Sequence, residues 1–319
     1  MNEKPSANGS FDQHQSGVVG KFVVPEIDGA FEMRIGLPRP NWPGLYEWVE
    51  RVTPEIDLHV VWTEIAANWL GRLAKTLGGS YAIWESKNFL LLSSRSKSGS
   101  EHLIKSCERF RQLILDTLPG VATDGGIGPH VVLAFASVHT YYNYVADFHP
   151  EEGEFGGSAG MFLDEDYSHI AVCAPENSDV EPIIAHELVH NLVRHLAMPI
   201  WLNEGVTQVV ESRLARQSPF ELTKDLLKRH RDWWTPETVQ EFWKGTVFHA
   251  PDDRQELGYS LAQILFRNLM TDYPRGVMTF LRQADAADAG NRALISSCGT
   301  SLSDSVAQFL GDGDWSPVF

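Results

Sequence analysis

The chain has 319 residues, of which 43% are hydrophobic and 11% aromatic, a composition that excludes an intrinsically disordered protein. Its length allows one large core or two modest ones. The formal net charge of −16 argues against nucleic acid or an anionic membrane surface as the main partner.

The amino-terminal region and the cysteines indicate the compartment. Residues 1–20 are polar, lack the apolar stretch of a secretory signal, and are predicted to be a disordered tail. No apolar run approaches the length of a membrane-spanning helix. The three cysteines, Cys107, Cys173 and Cys298, are far apart and have no metal-ligand spacing, which is typical of a reducing compartment. We therefore expect a cytoplasmic protein.

Residues 21–128 are predicted to form an amino-terminal α/β extension. This region is rich in proline and tryptophan. The apolar patterns predict a helix over 63–77, strands over 81–84 and 89–92, and an amphipathic helix that begins at Ser100 and ends at Pro119-Gly120. The sequence leaves open whether this extension belongs to the same lobe as the strands that follow or is a separate small module.

A second group of strands is predicted before residue 177. Residues 130–136 form an apolar strand and are followed by a short helix with three tyrosines. Residues 156–162 and 169–172 have the pattern of a hairpin whose small residues would let an extended peptide add as a further strand. An acidic group near this hairpin could favour basic substrates, or it could be a solvated loop: Asp147, Glu151, Glu152 and Glu154.

Beyond Asn177 the pattern is helical throughout, so the chain is predicted to be an α+β protein with a mixed sheet-and-helix half followed by an all-helical half. The predicted helices are 180–196, 203–216, 219–231, 236–244, 258–271, 275–284 and 302–310.

The segment His186-Glu187-Leu188-Val189-His190 places two histidines four residues apart on one helix. Their imidazoles point to the same place, an arrangement that suits a divalent zinc ion, and Glu187 is placed to handle a proton beside it. The alternative is a surface helix whose two histidines have no metal-binding role. The helix has a marked start, with Ser178 or Asp179 as its cap and Pro182 in its first turn.

A third protein ligand is expected from Glu204. Positions 191 to 203, thirteen residues, separate it from His190, enough for two more helical turns and a short connection. The first helix must end near Met198-Pro199, and Asn203 is predicted to cap the second. His195 is a rival ligand, but five residues after His190 it turns away from that face of the helix.

The two histidines and the segment Trp201-Leu202-Asn203-Glu204-Gly205 resemble the gluzincin metallopeptidases, especially the peptidase MA-like families and, more distantly, the zinc aminopeptidases. The resemblance runs from about Pro129 to about Leu310, and its motifs are confined to 186–205 and, more weakly, 257–270. It implies one zinc ion per chain, with His186, His190 and Glu204 as ligands and Glu187 as the catalytic base. The ligand glutamate of the aminopeptidases lies somewhat further along the chain.

The resemblance also implies a fold and a further catalytic residue. It predicts a zincin-like, two-lobed domain over 129–319, with the active-site helix at 180–196. Tyr259 lies in a segment that resembles the tyrosine-bearing helix start of these families, which implies that it stabilises the oxyanion; it could equally serve only for packing. His249 is an alternative donor. Gln208 or Glu211 could orient a ligating imidazole, or both could be solvated.

These features together predict a zinc-dependent metallopeptidase that acts on a peptide or protein substrate. Two alternatives stay open: a zinc-dependent amidase for a non-peptide amide, and a noncatalytic binding protein that keeps the zincin fold. The presence of all three ligands and of the base favours an active enzyme. The oligomeric state is not indicated.

Overall fold

The larger of two sheets has strands from both sides of residue 128. The computed structural model describes residues 30–52, 58–149, 157–214 and 221–318. The described residues form two units, one lying within Met1–Arg109 and Gly125–Ile184 and the other within Phe110–Asp124 and Ala185–Phe319. The predicted boundary between residues 128 and 129 therefore falls inside the first unit.

Five strands form the main sheet in the order β3-β4-β5-β7-β6. Their bounds are β3 Ala82–Glu85, β4 Phe89–Ser93, β5 His130–Phe135, β6 Gly160–Leu163 and β7 His169–Cys173. The neighbours β4, β5 and β7 are parallel, whereas β3 and β6 are antiparallel edge strands. The central strands β4 and β5 are buried along their whole length, which explains their nearly continuous apolar sequence.

The strand β6 occupies the edge at which the sequence predicts a peptide-accepting hairpin. It pairs with β7 on one side, and its other side carries no strand among the described residues. Of the acidic group nearby, Asp147 is bound to Arg39 (Nε–Oδ2 2.9 Å), and Glu151, Glu152 and Glu154 lie outside the described residues. A preference for basic substrates therefore stays a prediction.

An aromatic core packs against this sheet, and it includes residues of the segments that precede the sheet in sequence. These are the hairpin β1 Phe31–Arg34 and β2 Leu37–Pro40, and the helices α1 Trp42–Val52 and α2 Leu58–Leu77. Trp42 stacks on Tyr167 with the ring centroids 5.2 Å apart, and Trp69 meets His169 edge-on at 5.1 Å. The sequence predicts α2 but neither the hairpin nor α1, because both are short and stabilised by contacts with distant residues.

The remaining elements confirm the coarse prediction of a mixed α+β fold. In the described residues every strand precedes residue 174, and all regular structure after residue 180 is helical. The helices are α3 Lys97–Thr117, α4 Val138–Val145, α5 Glu181–Val193, α6 Ile200–Leu214, α7 Lys224–Trp233, α8 Val239–Trp243, α9 Arg254–Asp272, α10 Val277–Gln283, α11 Asn291–Cys298 and α12 Leu302–Leu310. Two 3₁₀ helices, Thr246–His249 and Ala286–Asp288, lie between them.

Several helix boundaries differ from the sequence prediction: α2 begins at Leu58 instead of residue 63, α5 ends at Val193 instead of residue 196, and α7 begins at Lys224 instead of residue 219. Two further differences concern the candidate site. Helix α6 begins at Ile200, not after Asn203, because the carbonyl of Pro199 already accepts hydrogen bonds from the amides of Leu202 and Asn203. Helix α9 begins at Arg254, so Tyr259 lies in its second turn, not at its start. Helix α11 is not predicted at all.

The predicted tail, residues 1–20, lies outside the described residues. Among the residues that the structure describes, no helix has both the length and the apolar character that crossing a membrane demands.

Each unit contains one fully buried, neutral histidine with two hydrogen-bond partners. In the first unit, His169 Nε2 accepts from the Tyr144 hydroxyl at 2.7 Å, and its Nδ1 donates to the Tyr167 carbonyl at 2.9 Å. In the second, His230 Nδ1 accepts from the indole of Trp234 at 2.9 Å. Burial lowers the pKa of His169 to about 3 and that of His230 to about 4.

We expect these two histidines to make the protein acid-sensitive. Both imidazoles bind protons more tightly in the unfolded chain, at a pKa of about 6.5, so unfolding takes up protons below that pH. Their contribution to stability is complete above pH 6.5 and is lost as the pH falls towards 4, by roughly a few kcal/mol in total. Urea unfolding at pH 7.5 and pH 5 measures this loss. Equal unfolding midpoints at the two pH values would contradict it.

Candidate metal centre

Helix α5 presents His186, Glu187 and His190 together. The helix begins where the amide of Glu181 donates to the Asp179 side chain at 3.3 Å, as the sequence predicts for Asp179. Leu188 and Leu192, on its apolar face, are fully buried. Because four residues make slightly more than one turn, the two imidazoles lie on the same face of the helix, with their ring centroids 4.9 Å apart.

Helix α6 brings Glu204 to these imidazoles. The two Nε2 atoms of His186 and His190 are 3.2 Å apart, and each lies 3.6 Å from a carboxylate oxygen of Glu204. These three form the one group of histidine, cysteine or acidic side chains in the described part of the chain whose donor atoms converge tightly enough to share a cation.

Both carboxylate oxygens of Glu204 face the histidines, since Oε2 lies 3.6 Å from His186 Nε2 and Oε1 lies 3.6 Å from His190 Nε2. Two imidazoles and one carboxylate are a ligand set that catalytic zinc sites use, with a fourth position left for water. The same set also occurs at non-haem iron sites.

The other ring nitrogen of each histidine is held by a partner on α6. Nδ1 of His186 lies 3.0 Å from Glu211 Oε2, and Nδ1 of His190 lies 3.1 Å from Asn203 Oδ1. Since a carboxylate and an amide oxygen only accept hydrogen bonds, Nδ1 of each ring donates to its partner on α6, and Nε2 of each ring faces Glu204. Thr207 Oγ1 adds a contact of 3.4 Å to His190.

Two of these partners, Asn203 and Glu211, bear on the roles that the sequence predicts for them. Asn203 is not a helix cap, because it lies inside α6 and its side chain contacts His190. Glu211 is the residue that contacts His186, while Gln208 donates to the backbone carbonyl of Tyr259 at 3.0 Å. The signal for Asn203 was its position beside Glu204, one turn before Thr207, on the face that meets α5.

The electrostatics of the site favour a cation. Glu187 is 8% exposed, and Oε2 of Glu204 is buried with no hydrogen-bond partner among the described residues. Burial alone would raise the pKa of Glu204, but His190 and His186 outweigh it and lower that pKa. Burial would likewise lower the pKa of His186, yet Glu204 and Glu211 raise it well above its ordinary value. Carboxylates therefore outnumber cations here, a charge that a divalent ion neutralises.

Two glycines allow the elements around Tyr259 to come close. A Cβ on Gly205 would lie 2.7 Å from the Ala262 carbonyl oxygen, so α6 and α9 meet with their backbones nearly in contact directly after Glu204. A Cβ on Gly258 would lie 2.7 Å from Val247 Cγ1, which brings the 3₁₀ helix Thr246–His249 against α9. Sequence reasoning did not identify either role.

Both predicted oxyanion donors lie within electrostatic reach of the cluster. Burial raises the pKa of Tyr259, and the charges of Glu204 and Glu187 raise it further. The ring of Tyr259 packs edge-on against Phe248 at 5.2 Å. His249 is exposed, and its charge contributes to lowering the pKa of Glu204. The structure therefore keeps both donors as candidates.

The rival ligand His195 is directed elsewhere. It lies beyond the end of α5, and its Nδ1 is 3.2 Å from Thr123 Oγ1. Its exposed side chain is not part of the converging group.

Comparison with known proteins adds no family to this geometry. The chain matches no family model, no curated protein and no solved structure.

Proposed function

We propose that this protein is a zinc-dependent metallopeptidase of the gluzincin type, with one zinc ion held by His186, His190 and Glu204. The observation that carries the proposal is the convergence of their donor atoms within 4.8 Å, beside the buried carboxylate Glu187. The donor set of two imidazoles and one carboxylate, together with the excess of carboxylates around it, supports zinc.

Zinc with three protein ligands lowers the pKa of water to roughly 7 and polarises a carbonyl group. The side chains provide proton transfer and stabilise the developing charge. Glu187 takes up the proton of the attacking water and passes it to the departing amine. Tyr259, or His249 in its place, donates a hydrogen bond to the oxygen on which negative charge develops. Glu211 and Asn203 keep the two imidazoles in the tautomer that leaves Nε2 unprotonated.

The proposal includes a zincin-like fold, with the sheet unit and the helical unit as its two lobes. It is supported by the order of the elements, since a sheet with an antiparallel edge strand precedes the helix that carries His186 and His190. A peptide or protein is the proposed substrate, because hydrolysis of peptide bonds is the activity that the resemblance to the gluzincin metallopeptidases implies.

A peptide-library cleavage screen tests the function. The purified protein is expected to cleave a subset of peptides, to stop when 1,10-phenanthroline is added, and to recover when zinc is returned. Cleavage that continues in the presence of the chelator would refute a metallopeptidase. Zinc binding without any cleaved peptide would instead favour the amidase or the noncatalytic binding protein.

A further inference from the structure

Trp201 lies in the first turn of α6, three residues before Glu204, and its side chain is fully buried. Its indole Nε1 donates a hydrogen bond of 3.0 Å to the backbone carbonyl of Ala289. Its ring packs among three other aromatic rings, Phe242, Trp243 and Phe280. The indole therefore connects the start of the ligand-bearing helix to a distant loop.

The acceptor of this bond sits in a tightly determined loop. Ala289 has a φ of 53°, in the left-handed region that non-glycine residues rarely adopt, and it is fully buried. The Asp285 side chain accepts from the amide of Ala287 at 2.7 Å, and the Asp285 carbonyl accepts from the amide of Gly290 at 2.8 Å. Such a conformation persists only where its surroundings impose it, so the Ala289 carbonyl is a fixed point.

The bond to Ala289 and the crossing at Gly205 together restrain α6 on both sides of Glu204. At Gly205 the helix rests against the backbone of Ala262, which limits its distance from α9. That contact does not by itself stop α6 from rotating about its axis. Successive side chains of a helix differ by about 100° in direction. A rotation of α6 by a fraction of that angle would therefore turn the Glu204 carboxylate away from the imidazoles. A directional hydrogen bond from Trp201 opposes this rotation.

We infer that Trp201 is a positioning residue of the metal centre: its hydrogen bond to Ala289 sets the rotation of α6 at which Asn203 and Glu204 face the histidines of α5. The inference rests on the proposed zinc site. Trp201 does not itself contact the donor atoms, and it acts through the first turn of α6.

The experiment compares two substitutions that remove the same chemical group. Trp201→Phe removes the N–H and keeps an aromatic ring. Trp315→Phe is the matched control, because the buried indole of Trp315 also donates to a backbone carbonyl, that of Gly311, at 2.9 Å, and Trp315 is not one of the three rings that pack against Trp201. Zinc affinity is measured by competition with a chromophoric chelator, and the melting temperature is measured for each metal-free variant. We expect Trp201→Phe to weaken zinc binding about tenfold, as loss of groups that orient ligands does, and Trp315→Phe to leave it unchanged.

Equal zinc affinities in the two variants and the wild type would overturn the positioning role while leaving the proposed function intact. A wild-type protein that binds no zinc would remove both. Should Trp201→Phe fail to fold, 3-benzothienylalanine at position 201 keeps the shape of the indole and lacks its N–H. The same replacement at position 315 is then the control, and the same tenfold difference is expected.

Discussion

Replacement of Glu187 by glutamine is expected to leave zinc bound and to lower turnover of a cleaved peptide by about three to four orders of magnitude. Glutamine has nearly the shape of glutamate and still accepts hydrogen bonds, but it cannot take up a proton. Glu187 is not among the three converging ligands, so the metal site itself should persist. Steady-state kinetics on one peptide from the screen, together with metal analysis of the same sample, measures both quantities.

Glu181→Gln is the matched control for this substitution. Glu181 lies in the first turn of the same helix, and its carboxylate is bound by Arg109 at 3.2 Å, not by the metal centre. It should keep full turnover. If Glu187→Gln cleaved peptides as fast as the wild type, Glu187 would not be the base.

Replacement of His186 by alanine should reduce the zinc content from about one ion per chain to nearly none. The variant loses one of three protein ligands and also leaves Glu211 without the Nδ1–H that it accepts in the wild type. Two ligands with a disrupted partner hold zinc weakly at neutral pH, because the affinity of such sites depends on the complete donor set. Elemental analysis after dialysis against a weak chelator gives the zinc content directly.

His195→Ala provides the comparison for that experiment. His195 contacts Thr123 and stands apart from the converging group, so its removal should leave the zinc content unchanged. Undiminished zinc in His186→Ala would exclude the proposed site. Loss of zinc in His195→Ala would indicate a different ligand set.

The sequence was a good guide to this site where the geometry depends on neighbouring residues. Two histidines four apart meet on any α-helix, and the structure brings them together with their Nε2 atoms 3.2 Å apart. The position of Glu204 also followed from a local argument, since thirteen residues after His190 leave room for a chain reversal. The first helix ends at Val193, earlier than the end near Pro199 that the sequence predicts. The strands of the main sheet were predicted from their apolar runs in the same way.

The sequence was a poor guide where a polar side chain can either cap its own helix or bond to a residue on another helix. Asn203 is a good helix cap by propensity, and that propensity predicted the start of α6 wrongly. In the structure the helix begins at Ile200, where the carbonyl of Pro199 accepts the first hydrogen bonds and Trp201 is buried. The side-chain oxygen of Asn203 contacts His190. Tertiary contacts are stronger than the small free energy of a single cap.

The amino-acid sequence by itself determined the spacing of His186 and His190 on α5 and the helical character of the chain after residue 180, because both depend on periodicities of a few residues. Only the tertiary structure decided which side chains hold the imidazoles, how closely α9 approaches Glu204 and how the strands on either side of residue 128 join one sheet. These features depend on the approach of backbones far apart in sequence, as at Gly205 and Ala262, and no local pattern encodes such a distance.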